Sequence, residues 1–162
     1  MHRLLGARRL ALAAVSLAAG FAVGGCDSTD TLAALDPDAS VAVTSEAQLV
    51  AAQAAWEASG VDDYEFVYEL RCYCSPGERV VVRGGRAVRT TRRDLAEART
   101  IDDLFDDALR DLRYAATAEQ WAAEVRLSTG RPQIPVLIHS GTTNLGIADG
   151  FTRLVVTGFE TR

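Results

Sequence analysis

The stretch Tyr64-Glu-Phe-Val-Tyr-Glu-Leu-Arg-Cys-Tyr-Cys74 decides the fold. Tyr64, Phe66, Tyr68, Leu70, Cys72 and Cys74 fall on one side of a two-residue period, and Glu65, Glu69, Arg71 and Tyr73 on the other. Only Val67 interrupts the alternation. A strand of this pattern buries one face and leaves the other wet, as antiparallel sheets do and two-sided parallel sheets do not.

Working outward from that strand, Ser75-Pro76-Gly77 makes a turn into Arg79-Val80-Val81-Val82-Arg83. Gly84-Gly85 then supplies the two positive-φ positions that a two-residue hairpin turn requires, before Ala87-Val88-Arg89-Thr90. These segments predict a three-stranded meander. On the N-terminal side, Ser45 is a good helix cap, strong helix formers follow it, and Gly60 is a stop, which predicts a helix over about 46–58. Leu49, Ala52 and Trp56 share a face of that helix at i, i+3 and i+7, and Trp56 is read as core.

On the C-terminal side, Thr100-Ile-Asp-Asp resembles a capping box with aspartate in the third position. Ile101, Leu104, Phe105, Ala108, Leu109 and Leu112 recur behind it at helical spacing. Asp102, Asp103, Asp106, Asp107 and Asp111 crowd the other face, which reads as solvated because the loop spacing of a calcium-binding motif is absent. Trp121, Ala123, Val125 and Leu127 alternate again, Gly130-Arg131-Pro132 turns the chain into Ile134–His139, and a Gly-rich loop from Gly141 to Gly150 precedes a closing strand from Phe151 to Phe159. The order is helix, three strands, helix, three strands. Burying both amphipathic helices and one face of each strand predicts a two-layer α+β domain over residues 45–162, with an antiparallel sheet of about six strands.

The N-terminus reads as an address. A basic stretch ending at Arg8-Arg9 precedes fourteen charge-free residues, Leu10 to Val23. That run is shorter than the about 20 apolar residues a membrane span needs, and it has the length and flanks of a secretory signal. Val23-Gly24-Gly25-Cys26 resembles the lipobox of bacterial lipoproteins, in which the cysteine takes a diacylglycerol and becomes the new N-terminus. On this reading residues 1–25 are a lipoprotein signal peptide. Residues 26–44 are then a lipidated Cys26 and a flexible acidic tether, rich in aspartate and without periodic pattern. The expected address is a membrane of the bacterial cell envelope, the domain being exported from the cytoplasm. Asp27 leaves the choice of membrane open.

Removal of residues 1–25 takes Arg3, Arg8 and Arg9 and no acid from 17 basic and 22 acidic side chains, moving the formal charge from −5 to about −8. So acidic a domain lacks the basic footprint of nucleic-acid binding. Every basic side chain is arginine.

With Cys26 lipidated, Cys72 and Cys74 are the remaining thiols, and an oxidising compartment favours a disulfide between them. Residues i and i+2 of an extended strand sit at the outer limit for bridging, so the bond requires a local bend. A bond closing so short a loop is poorly stabilising and reducible, which keeps a redox role open. A soft-ion site for Cu(I) built from Cys72, Cys74 and His139 is a further alternative, as are two packed thiols. A closed four-ligand zinc site of Cys and His alone cannot be made within the mature chain.

Catalytic constellations are sparse. His139 is the only histidine after residue 25, its neighbour Ser140 lies on the opposite face of the same predicted strand, and there is no Gly-x-Ser-x-Gly elbow. The absence of lysine removes a phosphate-binding Gly-rich loop with its lysine. No acid occupies an evidently apolar position at which its pKa would rise.

Trp56, Gly60, Tyr64, the Cys72-Tyr73-Cys74-Ser75-Pro76 run, the Val-rich strand ending at Gly85, the Thr100–Phe105 helix start and the Gly130-Arg131-Pro132 turn together resemble a family of small bacterial envelope lipoproteins known only as a domain of unknown function. The likeness covers most of residues 50–140, and the chain departs from it after Gly141. It implies fold and address and adds no chemistry. The expectation is a membrane-anchored, non-enzymatic module that binds an envelope protein or small ligand, with no cofactor beyond the lipid on Cys26. A thiol-disulfide or copper-handling protein using Cys72 and Cys74 is the alternative.

Overall fold

The computed structural model describes residues 32, 34–36, 38–70, 77–143 and 150–162. Seven strands form one open antiparallel sheet, and two helices pack on one of its faces, giving an α+β fold. In chain order these are β1 (Val41–Ala42), α1 (Glu46–Ala58), β2 (Tyr64–Leu70), β3 (Glu78–Arg83), β4 (Arg86–Thr90), α2 (Ile101–Thr117), β5 (Trp121–Leu127), β6 (Pro135–Thr142) and β7 (Phe151–Thr161). A 3₁₀ turn at Leu95–Glu97, with no sequence signature of its own, leads from β4 towards α2. The spatial order is β1-β5-β6-β7-β2-β3-β4. Each helix is thus followed by its own meander, and the two meanders join where the last strand, β7, pairs with the first long strand, β2.

Between the helices and the sheet lies a continuous apolar core. Leu49, Ala52 and Trp56 of α1 and Ile101, Leu104, Phe105, Ala108 and Leu109 of α2 meet Tyr64, Phe66 and Tyr68 of β2. Val80 and Val82 of β3, Val125 and Leu127 of β5, Ile134 with Val136 and Ile138 of β6, and Leu154 and Val156 of β7 complete it. Trp56 is a core residue, as expected: its ring stands edge-on to Tyr64 at 5.3 Å and to Phe159 at 6.1 Å, geometries that aromatic quadrupoles favour. Three ties fix the start of α2. Thr100 and Asp103 close a reciprocal capping box, the Ile101 amide donates to Tyr64 Oη at 3.0 Å, and Trp56 Nε1 donates to Asp102 Oδ1 at 2.9 Å. Burial, followed by the nearby charges of Asp102 and Asp103, raises the Tyr64 phenol well above its ordinary range, so it remains a neutral group at this junction.

The Gly84-Gly85 turn is formed as the sequence predicts, with φ of 54° and 71°. Gly141 plays a different part. A Cβ there would lie 2.3 Å from the Gly150 carbonyl oxygen and 2.5 Å from Phe151 Cα, so only glycine lets β6 and β7 approach so closely at this end.

Two expectations need correction. The sheet has seven strands, because the segment read as a flexible tether contributes β1, whose Val41 and Ala42 pair with Leu127 and Arg126 of β5. Two exposed residues carry no alternation, so no periodic signal announces this strand. Further upstream the Leu35 amide donates to the Thr157 carbonyl at 3.0 Å, Ala34 bridges Gly158, and Leu32 is buried. Arg126 secures the same segment through Ser40, with Nε donating to its Oγ at 2.7 Å and Nη2 to its carbonyl at 3.2 Å. In its described part, the linker is joined to the sheet.

The second correction concerns charge. Glu65 and Glu78, both on strands and both read as solvated or passed over, are only 2% and 4% exposed.

Candidate functional site

The sheet face away from the helices carries most of the chemistry that sequence reasoning missed. Glu65 points to this face from β2, an interior strand of the sheet. Arg79 on β3 and Arg162 at the C-terminus both donate to its carboxylate, the latter from Nη2 to Oε2 at 3.0 Å. Burial opposes the charged form, but the two guanidinium hydrogen bonds outweigh it, so the carboxyl is held below its usual range. Glu65 is therefore a buried anion balanced by two cations, each about a third exposed. Glu78 is satisfied differently: its Oε1 accepts from the Thr91 and Arg92 amides at 2.8 and 2.9 Å, pinning the chain that leaves β4.

His139 stands on this same outer face of β6. Its cross-strand neighbours are Glu124 and Arg153, and its ring meets Phe151 edge-on at 5.8 Å. Together with Ala122 and Gly141 it lines a shallow pocket of about 120 Å³. Ser140 turns to the other face and donates to Asp111 Oδ2 at 2.6 Å, so the serine and histidine are not brought together. Among the described residues, the buried Arg153 Nε, Tyr68 Oη and Trp121 Nε1 find no hydrogen-bond partner.

Cys26, Cys72 and Cys74 lie outside the described residues. The end of β2 that leads to the two latter cysteines can be described. Leu70, Ile138 and Leu154 floor a cleft of about 210 Å³ there, walled on the α2 side by Arg99, Asp107, Arg110 and Asp111. Its charges are matched internally, since Asp107 pairs with Arg99 and with Arg110 Nη2, the latter at 2.6 Å. All five aspartates expected to form a solvated face of α2 thus make bonds within the fold: Asp102 to Trp56, Asp103 to Thr100, Asp106 to Gln53, Asp107 to its two arginines and Asp111 to Ser140.

A larger open cavity, about 670 Å³, lies between the end of α1 and the Gly130-Arg131-Pro132 turn, lined by Ala55, Ser59 and Gln133 among others. His139 is not among its described lining residues. Among the described residues, no three His, Cys, Asp or Glu side chains come together to hold a metal ion. No helix among them is long and apolar enough to cross a membrane.

These features define an α+β domain with an open antiparallel sheet, one face covered by helices and the other carrying paired charge. A DUF6174 domain, a family of unknown function, is found at residues 48–126, from α1 into β5. Neither curated proteins nor solved structures gave a match.

Proposed function

We propose that the chain is a lipid-anchored protein of the bacterial cell envelope whose α+β domain serves as a binding module. The observation that carries this reading is the charge-free run Leu10–Val23 placed directly before Gly24-Gly25-Cys26. A lipid on Cys26 would hold the domain at a membrane, and the helix-free sheet face and the clefts beside α1 and α2 offer surfaces for a partner protein or small ligand. The test is fractionation of cells expressing the full chain or its Cys26→Ser variant. The wild type is expected in the membrane fraction, resistant to high salt and released by detergent. A wild type found free in the soluble fraction would overturn the reading.

The spacing of Cys72 and Cys74 favours a second reading, a thiol-disulfide or copper-handling protein. Cys72→Ser is then expected to change metal content or thiol reactivity of the purified protein. Unchanged values for both would end this alternative.

A further inference from the structure

Beyond the basic N-terminus, an acidic chain carries a second strongly basic stretch. Residues 83–93, Arg-Gly-Gly-Arg-Ala-Val-Arg-Thr-Thr-Arg-Arg, hold five arginines and no acid, whereas the whole chain has a formal charge of −5. The fold gathers three of these arginines on one surface. Val80 and Val82 of β3 point into the helix-covered core, so Val81 and Arg83 point away from it. Cross-strand partners share a face, and Arg86 lies opposite Arg83 while Arg89 lies opposite Val81.

Three residues apart on an uninterrupted strand, Arg86 and Arg89 would face opposite sides. The register shift between Val81 and Val82 makes Val88 an extra residue and returns Arg89 to the same side as Arg86. Arg83, Arg86 and Arg89 are all exposed, Val88 is 48% exposed among them, and none of the three arginines makes an ion pair with a described residue. The nearest buried anion on that face, Glu65, is already matched by Arg79 and Arg162.

We infer that Arg83, Arg86 and Arg89 form a docking stripe for the anionic phospholipid surface of the membrane to which Cys26 would be attached. This deepens the anchoring proposal and rests on it. Two observations favour a lipid surface over a soluble polyanion. An exposed apolar side chain amid arginines suits a headgroup boundary, where charge attraction and apolar burial act together. The chain available to reach a membrane is also short: six residue steps lead from Cys26 to buried Leu32, a span of at most about 20 Å. The sheet is thereby kept within range of the surface potential of anionic lipid, which is worth about 1 kcal/mol, or about fivefold in affinity, per arginine near the surface.

The exported mature protein, with its intact mass recorded, is reconstituted into vesicles of phosphatidylcholine alone or with about a third phosphatidylglycerol, and amide exchange is followed. Residues 83–93 are expected to exchange at least about fivefold more slowly with phosphatidylglycerol present. The difference should vanish in high salt and in an R83Q/R86Q/R89Q variant whose β2 and β6 amides keep wild-type protection. Exchange indifferent to phosphatidylglycerol overturns the stripe, as does slowing by soluble polyglutamate without any response to phosphatidylglycerol. An intact mass lacking acyl chains overturns the anchor separately, and phosphatidylglycerol-dependent protection of such a protein would leave the stripe standing.

Discussion

The two faces of the sheet are built on opposite principles. The helix-covered face is apolar, with Phe66, Phe105 and Leu104 fully buried. The opposite face also buries side chains, among them Val155, Leu137 and Glu65, yet its most deeply placed polar group is a carboxylate held by two arginines. Apolar burial gains free energy from the side chain alone, whereas a buried carboxylate is tolerated only while its partners are present. The first face is therefore expected to fail in proportion to the volume removed, and the second according to which partner is lost.

That contrast is tested first at its largest effect. Phe105→Ala empties a fully buried position and is expected to cost about 3–5 kcal/mol in chemical denaturation. Arg79→Ala removes one partner of Glu65 and is expected to cost about 2 kcal/mol. This lies below the usual figure for breaking a buried pair, because Arg79 is about a third exposed and Arg162 remains. A loss in Arg79→Ala that Arg79→Met largely restores would show that packing of the arginine stem rather than charge is at stake.

The same carboxylate gives the outer face a pH signature. Its folded pKa is depressed, so its contribution is complete above the ordinary carboxylate value of about 4.5 and is lost as pH falls through the lower folded value. Glu65→Gln is expected to lower stability at pH 7 and to converge on the wild type in acid denaturation as pH falls through the depressed folded value. A constant difference at all pH values would remove Glu65 from this role. Trp56→Phe deletes the tie to Asp102 while retaining an aromatic ring, and a loss of about 1–2 kcal/mol in the same denaturation experiment is expected. At the small end, Arg83→Gln on the exposed edge is expected to change stability by less than about 0.5 kcal/mol, measured as the denaturation midpoint.

The helix-covered face was legible in the sequence because its signals are periodic and local. Thr100 through Leu112 announce α2 by capping and spacing, and Tyr64, Phe66 and Tyr68 announce β2 by alternation. The outer face was not legible, for two physical reasons. Alternation assigns Glu65 to solvent, and its burial depends on Arg162, 97 residues distant, which no local pattern connects to it. The arginines at 83, 86 and 89 are plain in the sequence, but their common face depends on a bulge that periodicity does not encode. β1 escaped notice for a third reason, since two exposed residues pair entirely through their backbone. Of the candidate site, His139 is placed on the outer face beside Phe151 and away from Ser140, and the cysteines lie outside the described residues.

The joined linker turns this comparison into a distance. Were residues 27–44 all free, the domain could stand up to about 60 Å from the lipid proposed on Cys26, whereas a chain secured from Leu32 onward allows about 20 Å. Neutron reflectometry on the exported, acylated protein in a supported anionic bilayer measures that gap. Protein density beginning within about 20 Å of the headgroups is the result expected of a sheet held close by its outer face. A solvent layer deeper than that between headgroups and protein would contradict it.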